Sequence, residues 1–325
     1  MAIDFNHIPV MLSEAVDSLS IRPGGVYVDG TLGGGGHSAL ILDRLGDTGR
    51  LIGIDQDINA ISTAKKRLNS GSFLAIHGNF HNMLEILQDN NIYKIDGVLL
   101  DLGVSSHQLD TPERGFSYRL QGPLDMRMNQ DSGLSAYDIV NNYTEAQLVD
   151  ILFKFGEERY ARRIVRAIIS TREGKPIEST TDLAAIIEKA TPRRYDGPHP
   201  AMRSFMALRI AVNNELHPLD TVLTEIINCL NPGGRISVIS FHSLEDRIAK
   251  QCFNRHANPC TCPRDIPYCV CGKPTLLKVI TKKPILPTPE ELSQNNRAHS
   301  AKLRVGERID ETKDTPSKKR QQSTN

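Results

Sequence analysis

Three carboxylates each close a short apolar run: Asp29 in Val26-Tyr-Val-Asp29, Asp55 in Leu51-Ile-Gly-Ile-Asp55, and Asp101 in Val98-Leu-Leu-Asp101. The first is followed at once by Gly30-Thr-Leu-Gly-Gly-Gly-Gly-His37. Glycines let the main chain approach a ligand closely, and a helix starting behind them presents free N–H groups. Two cofactor classes use such a loop, dinucleotides and S-adenosylmethionine. Gly30, Gly33 and Gly36 fit the dinucleotide fingerprint only loosely, because a run of glycines satisfies many templates. Asp29 is the better discriminator. A carboxylate there repels a pyrophosphate but accepts hydrogen bonds from loop amides or a cationic amino-acid moiety, which favours a cofactor without phosphate. Asp55 can take both hydroxyls of a ribose; its other reading is a cap for the helix near Ile58. Three strand-end acids exceed what capping needs, and in an open parallel sheet they converge where ligands bind.

Other groups could also do chemistry. His242 stands just past an apolar run at 235–241, either as a base or as a structural histidine bonded to Glu245 or Asp246. Cys260-Thr-Cys262 and Cys269-Val-Cys271 could bind a structural zinc tetrahedrally, although one-residue spacing is tighter than an ordinary zinc knuckle. Reduced thiols are the default reading there and a redox pair is a third. Arg159, Arg162, Arg163 and Arg166, the pair Arg193-Arg194, and Arg203 with Arg209 are candidate phosphate contacts. A charged row is equally a solvated helix face, which Glu157 and Glu158 would partly neutralise by i,i+4 pairing.

The elements that position these groups follow from periodicity. Strands are expected at 26–29, 50–55, 73–77 and 95–101, with helices at 38–45, 58–68 and 82–88 between them. The strands are continuous apolar runs, as in a parallel sheet covered on both faces. This predicts an α/β fold, a Rossmann-like doubly wound sheet. From 105 to 216 the pattern is helical, with helices expected at 157–172, 181–190 and 201–215. The α/β rhythm then resumes: a helix at 219–230, a turn at 231–234, a strand at 235–241 and closing strands at 276–281 and 302–305. The expected organisation is a sheet domain in two parts, 1–105 and 217–310, with an all-helical domain inserted at 106–216. The polar tail 311–325 is expected to be disordered.

Composition sets bounds without naming a function. The 325 residues carry 39 Lys and Arg against 38 Asp and Glu, so any nucleic-acid surface must be local. No apolar run approaches the roughly 20 residues that span a bilayer, and no secretory signal is visible, so a cytoplasmic protein without a membrane partner is expected. In that compartment the six cysteines are expected as thiols, metal ligands or redox groups.

Longer blocks carry a specific resemblance. Asp29-Gly-Thr-Leu-Gly-Gly-Gly-Gly-His37, Asp101-Leu-Gly-Val-Ser-Ser106 and Ser240-Phe-His-Ser-Leu-Glu-Asp-Arg247 resemble the MraW/RsmH family. So do Glu113-Arg-Gly-Phe-Ser117, Gly122-Pro-Leu-Asp-Met-Arg-Met128 and Gly156-Glu-Glu-Arg159, in order, between His7 and about Arg308. The resemblance implies a class I methyltransferase that uses S-adenosyl-L-methionine to methylate the N4 amine of a cytosine in the decoding region of 16S ribosomal RNA. The implied partner is that RNA or the small ribosomal subunit. It also implies cofactor contacts at Gly35, Gly36 and His37 in the glycine loop, Asp55 on the ribose, Phe80 in Gly78-Asn-Phe80 against the adenine, and Asp101 and Gln108. His37 and Phe80 have plainer readings, as a helix cap and a core residue. Some members of the family lack the four clustered cysteines, so the resemblance does not decide their role.

For catalysis, Asp101 is the first candidate and His242 the second. Related amino-methyltransferases follow the fourth-strand acid, amide or hydroxyl with Pro-Pro and an aromatic. Here the segment is Asp101-Leu-Gly-Val104, which leaves the stacking partner of the base unassigned. Alternatives are a methyltransferase for DNA or a small molecule, a non-catalytic RNA-binding assembly factor with the same fold, and an NAD oxidoreductase. Asp29 weighs against the last.

Overall fold

The structure is a computed structural model that describes residues 9–131, 133–192, 199–263, 265 and 269–310. Arg193, Arg194, His7 and the tail from 311 lie outside the described residues. The described chain forms two compact units, one from Gly103 to His217 and one from the residues on either side of it.

The larger unit is built on a seven-stranded sheet of order β3-β2-β1-β4-β5-β7-β6. Its strands are β1 Val26–Asp29, β2 Arg50–Asp55, β3 Phe73–His77, β4 Ile95–Asp101, β5 Leu230–Ser240, β6 Leu277–Val279 and β7 Lys302–Arg308. The first five are parallel, while β7 pairs antiparallel with both β5 and β6. Helices α1 Leu12–Ser18, α2 Gly36–Leu45, α3 Ile58–Arg67 and α4 Met83–Asp89 belong to its first part. This is the doubly wound α/β architecture expected from the sequence.

Alternation along each strand sorts the core into two layers. Val28, Ile52, Ile54, Val98, Leu100 and Val238 pack in one cluster with residues of α4. Tyr27, Leu51, Leu99, Ile239 and Leu303 pack in another with Val16, Ile41 and Leu45 of α1 and α2. Each layer excludes water from one face of the sheet, and that burial supplies the driving force for the unit.

The smaller unit is helical: α5 Ser106–Asp110, α6 Ala136–Asn142, α7 Glu145–Gly156, α8 Ala161–Gly174, α9 Thr180–Ala190 and α10 Ala201–Asn213. It has its own core, including Leu148, Leu152, Ile164, Val165, Ile187 and Phe205. Capping boxes start three of its helices, at Ser105, Ser135 and Thr144. A Cβ on Gly156 would meet the Arg203 carbonyl oxygen at 2.8 Å, so the end of α7 approaches α10 through a bare backbone.

Two expectations need correction. The helix expected over 157–172 begins only at Ala161, because Glu157 adopts a left-handed conformation (φ 46°) that ends α7. Glu157 and Glu158 are therefore off the helix and cannot pair i,i+4 with its arginines. The turn expected at 231–234 lies within β5: Ile95 pairs with Leu230 and Gly97 with Arg235, so extra residues of β5 bulge out, with Gly233 at φ 78°. After the helical unit the sheet unit continues with α11 Leu219–Cys229, α12 Ser243–Ala257 and α13 Pro289–Gln294. No helix among the described residues is long and apolar enough to cross a membrane.

Leu99 is fully buried on a central strand. Leu99→Ala should cost about 2–5 kcal/mol and lower the thermal midpoint by about 5 °C or more. A thermal scan showing a change below about 2 °C would contradict this core assignment.

Candidate cofactor site

Strand order reverses between β1 and β4, and ligands of open α/β sheets bind beyond the carboxyl ends of the strands at such a point. Asp29 ends β1 and Asp101 ends β4, so these acids flank the switch point, with Asp55 on the neighbouring β2. The Gly30 N–H donates to the Leu99 carbonyl at 2.9 Å, which carries the β1–β4 ladder to the loop. A Cβ on Gly30 would lie 2.6 Å from Leu100 Cδ2 and 2.7 Å from Met83 Cε. A side chain there would force Leu100 and Met83 to shift.

Asp29 is 1% exposed. Its Oδ1 accepts the Thr31 N–H at 3.2 Å and its Oδ2 accepts the Ser38 hydroxyl at 2.6 Å. It thus ties the strand end to both the loop and α2. Thr31 in turn accepts the Asp101 N–H on Oγ1 at 2.6 Å, linking the ends of β1 and β4. Asp55 holds the loop from the other side: Oδ2 accepts the Gly33 N–H and Oδ1 the Asp57 N–H, both at 2.8 Å. Asp57, not Asp55, caps α3, through the Asn59 N–H. Gly33 and Gly35 take φ of 50° and 73°, and a side chain on Gly36 would run into the Pro9 ring.

Asp101 differs from the other two acids. Its Oδ1 is shut off from solvent and has no hydrogen-bond partner among the described residues. His37 Nδ1 lies 3.9 Å from Asp101 Oδ2, beyond hydrogen-bond reach. The other ring nitrogen of His37, Nε2, donates to the Val10 carbonyl at 3.0 Å, so Nδ1 is the bare nitrogen of a neutral ring. Burial lowers the His37 pKa to about 4. Burial raises Asp29 and Asp55 to about 6 each. Burial and then the nearby carboxylates of Asp29, Glu245 and Glu291 push Asp101 up to about 8. Three acids whose ionised forms are disfavoured by burial, one of them with an unpartnered oxygen, gain from a ligand that brings a cation and hydroxyls.

Phe80 opens a short 3₁₀ turn after β3, half-buried against the core, with the His81 ring edge-on at 4.4 Å. His242 is the N-cap of α12. Its Nδ1 accepts the Glu245 N–H at 3.4 Å, and its Nε2 lies 3.1 Å from Glu245 Oε1 without hydrogen-bond alignment. Asp246 is engaged elsewhere, by Arg304 at 2.6 Å. Of the two acids named beside His242 in the sequence, Glu245 is the one in contact with its ring. Gln108 sits on α5 in the helical unit, 4% exposed, and its Oε1 accepts the Ser105 N–H in the capping box. Thr31 and Ser38 were not singled out by sequence reasoning, although Ser38 falls on the first turn of the helix behind Asp29, so its spacing carried a signal. Glu245, three residues after His242, was named as a partner for that ring, and the contact is present.

The candidate phosphate contacts separate. Arg159, Arg162, Arg163, Arg166 and Arg203 are exposed. Arg209 is not available: its guanidinium forms a fork onto Glu215 at 2.9 and 2.8 Å, with both side chains largely buried. That corrects its assignment.

A folded protein that keeps Asp101 protonated to about pH 8 binds a proton that its unfolded chain has released near pH 4. Stability of the ligand-free protein should therefore fall as pH rises toward 8. His37 and His81 act oppositely, but only below about pH 6.5, and Asp29 and Asp55 act only up to about pH 6. Between pH 6.5 and 8 Asp101 by itself contributes a loss of about 1 kcal/mol per pH unit, which Asp101→Asn should remove from the measured slope. Denaturant titrations with the same slope in both proteins would refute the assignment.

Comparison with known proteins places the chain. The MraW methylase family matches residues 4–309. A ribosomal RNA small subunit methyltransferase H from Clostridioides difficile is 51% identical over 311 residues, covering 94% of this chain and all of that protein. One of the same name from Fusobacterium nucleatum is 52% identical over 305 residues, covering 93% of this chain and 97% of its own. A solved rRNA methylase from Streptococcus thermophilus is similar at TM-score 0.39 and 10% identity, over 94% of this chain and 99% of that one, too distant to bear on function. On a match that spans both units, this chain belongs to the MraW methylase family.

Proposed function

We propose that the protein is an S-adenosyl-L-methionine-dependent methyltransferase that modifies the N4 amine of a cytosine in the decoding region of 16S ribosomal RNA, acting in the cytoplasm on the RNA or the small subunit. The observation that carries the reading is the strand-end site: an unpartnered buried carboxylate oxygen on Asp101, beside a glycine loop and two further acids, in a chain half identical to rRNA methyltransferases. The residues fit the cofactor. Asp55 takes the ribose hydroxyls, Phe80 lies against the adenine, Gly35, Gly36 and His37 form the loop wall, and Asp101 takes the amino-acid end, with Gln108 as the remaining assigned contact. Asp29 holds the loop from beneath. When bound, S-adenosylmethionine supplies a methyl group on a positively charged sulfur.

The N4 amine of cytosine is a weak nucleophile because its lone pair is shared with the ring. A carboxylate that accepts one of its hydrogens restores electron density to the nitrogen and holds it in line for transfer. Asp101 is assigned that task, with His242 fixing the end of β5. The exposed arginines at 159, 162, 163, 166 and 203 of the helical unit are assigned to RNA phosphates.

Purified protein, small subunits lacking the mark and methyl-labelled cofactor test this directly. Mass analysis of digested RNA should find one labelled nucleoside, N4-methylated cytidine. Asp101→Asn should lower kcat by about 10²-fold or more. Arg162→Ala with Arg163→Ala should weaken RNA binding and reduce its salt slope by about one unit for each phosphate that is no longer neutralised. Label on another nucleoside would overturn the substrate, and full activity in Asp101→Asn would overturn the residue's role.

A further inference from the structure

Away from the strand ends, the loop between α12 and β6 gathers four cysteines from opposite sides. The Sγ atoms of Cys260, Cys262, Cys269 and Cys271 all lie within 4.8 Å of one another. Cys269 is the hub, 3.5 Å from Cys260, 3.8 Å from Cys262 and 3.4 Å from Cys271. All four are free thiols. Four thiolates at the corners of a tetrahedron around zinc, each about 2.3 Å from the metal, stand about 3.8 Å apart. The observed separations bracket that edge.

Apolar burial does not explain the gathering. Cys260 and Cys269 are exposed, the intervening Val270 is 75% exposed, and none of the four belongs to a hydrophobic cluster. The one-residue spacing, tighter than that of an ordinary zinc knuckle, still brings the two sulfurs of each pair together with those of the other pair, while Val270 between the second pair stays exposed. Main-chain N–H groups support the sulfurs as charged acceptors. That of Val270 reaches Cys262 Sγ at 3.3 Å, and those of Thr261 and Lys273 are directed at Cys271. Gly272, directly after the last cysteine, takes φ 62°, which turns the chain back where a larger residue would be strained. At the base of the loop, the Leu276 N–H donates to the His256 carbonyl at 3.0 Å, which closes it onto α12.

We propose that Cys260, Cys262, Cys269 and Cys271 bind one zinc ion as a structural tetrathiolate site that staples this loop. Binding forms four Zn–S bonds and releases four thiol protons to solvent, with no change of oxidation state at zinc or sulfur. With all four positions taken by protein, the ion has no open position for substrate. The site therefore serves the loop's order and stands apart from the transfer chemistry.

Protein produced with zinc in the medium and purified without chelator should carry about one zinc per chain by elemental analysis. Cys262→Ser with Cys271→Ser should remove it, while changing the buried Cys229 and Cys252 to serine should not. Cobalt titrated into the metal-stripped wild-type protein should give the intense thiolate charge-transfer and tetrahedral ligand-field bands. This readout needs no variant. Chelator treatment should speed proteolytic cutting within 258–276 by about tenfold or more without new cuts elsewhere. Less than about one zinc in five chains, zinc retained by the double variant, or cobalt bound without thiolate bands would overturn the proposal.

Discussion

Asp29 is buried at the end of β1 with both oxygens hydrogen-bonded, one to the Thr31 N–H and one to the Ser38 hydroxyl. A carboxylate so enclosed would be costly to bury without those partners. They in turn fix where the glycine loop leaves the strand and where α2 begins. Thr31 extends the constraint sideways by accepting the Asp101 N–H, so the end of β4 is set by the same loop. The site is thus one hydrogen-bonded unit spanning the switch point. Asp101 is the member whose carboxylate is left with an oxygen to offer.

The sheet makes this arrangement possible. Both of its faces are covered by apolar layers, so polar groups are confined to the strand ends. Desolvation there raises all three acids, most of all Asp101, which three other carboxylates also surround. Burial and these neighbours make the ionised form of Asp101 costly. A cation that converts it to a carboxylate gains a strong pair. The surrounding acids therefore favour a ligand that brings positive charge to Asp101.

Much of this was legible in the residues. The parallel strands stood out as uninterrupted apolar runs ending in acids, and β1 and β4 keep their expected bounds. The role of Asp29 in binding loop amides was also readable, because a buried strand-end acid before a glycine loop has few other donors. What sequence could not supply depends on contacts distant in the chain. Nothing local marked Thr31 as the acceptor for Asp101, seventy residues away. The fork of Arg209 onto Glu215 looked like a free cation because α10 ends at Asn213 and folds the glutamate back. Glu157 reads as helix former by propensity, but the close approach of Gly156 to α10 and the left-handed turn after it override that preference. The Pro-Gly-Gly in β5 signals a turn by composition, and the register shows a bulge instead.

The claim on which the account turns is that Asp101 gives up its proton to receive a cationic ligand. Calorimetric titration of S-adenosylmethionine at pH 7, in buffers of different ionisation enthalpy, counts the protons released on binding. The account predicts about one proton per cofactor for the wild-type protein and almost none for Asp101→Asn. Binding to the wild type without proton release would contradict it.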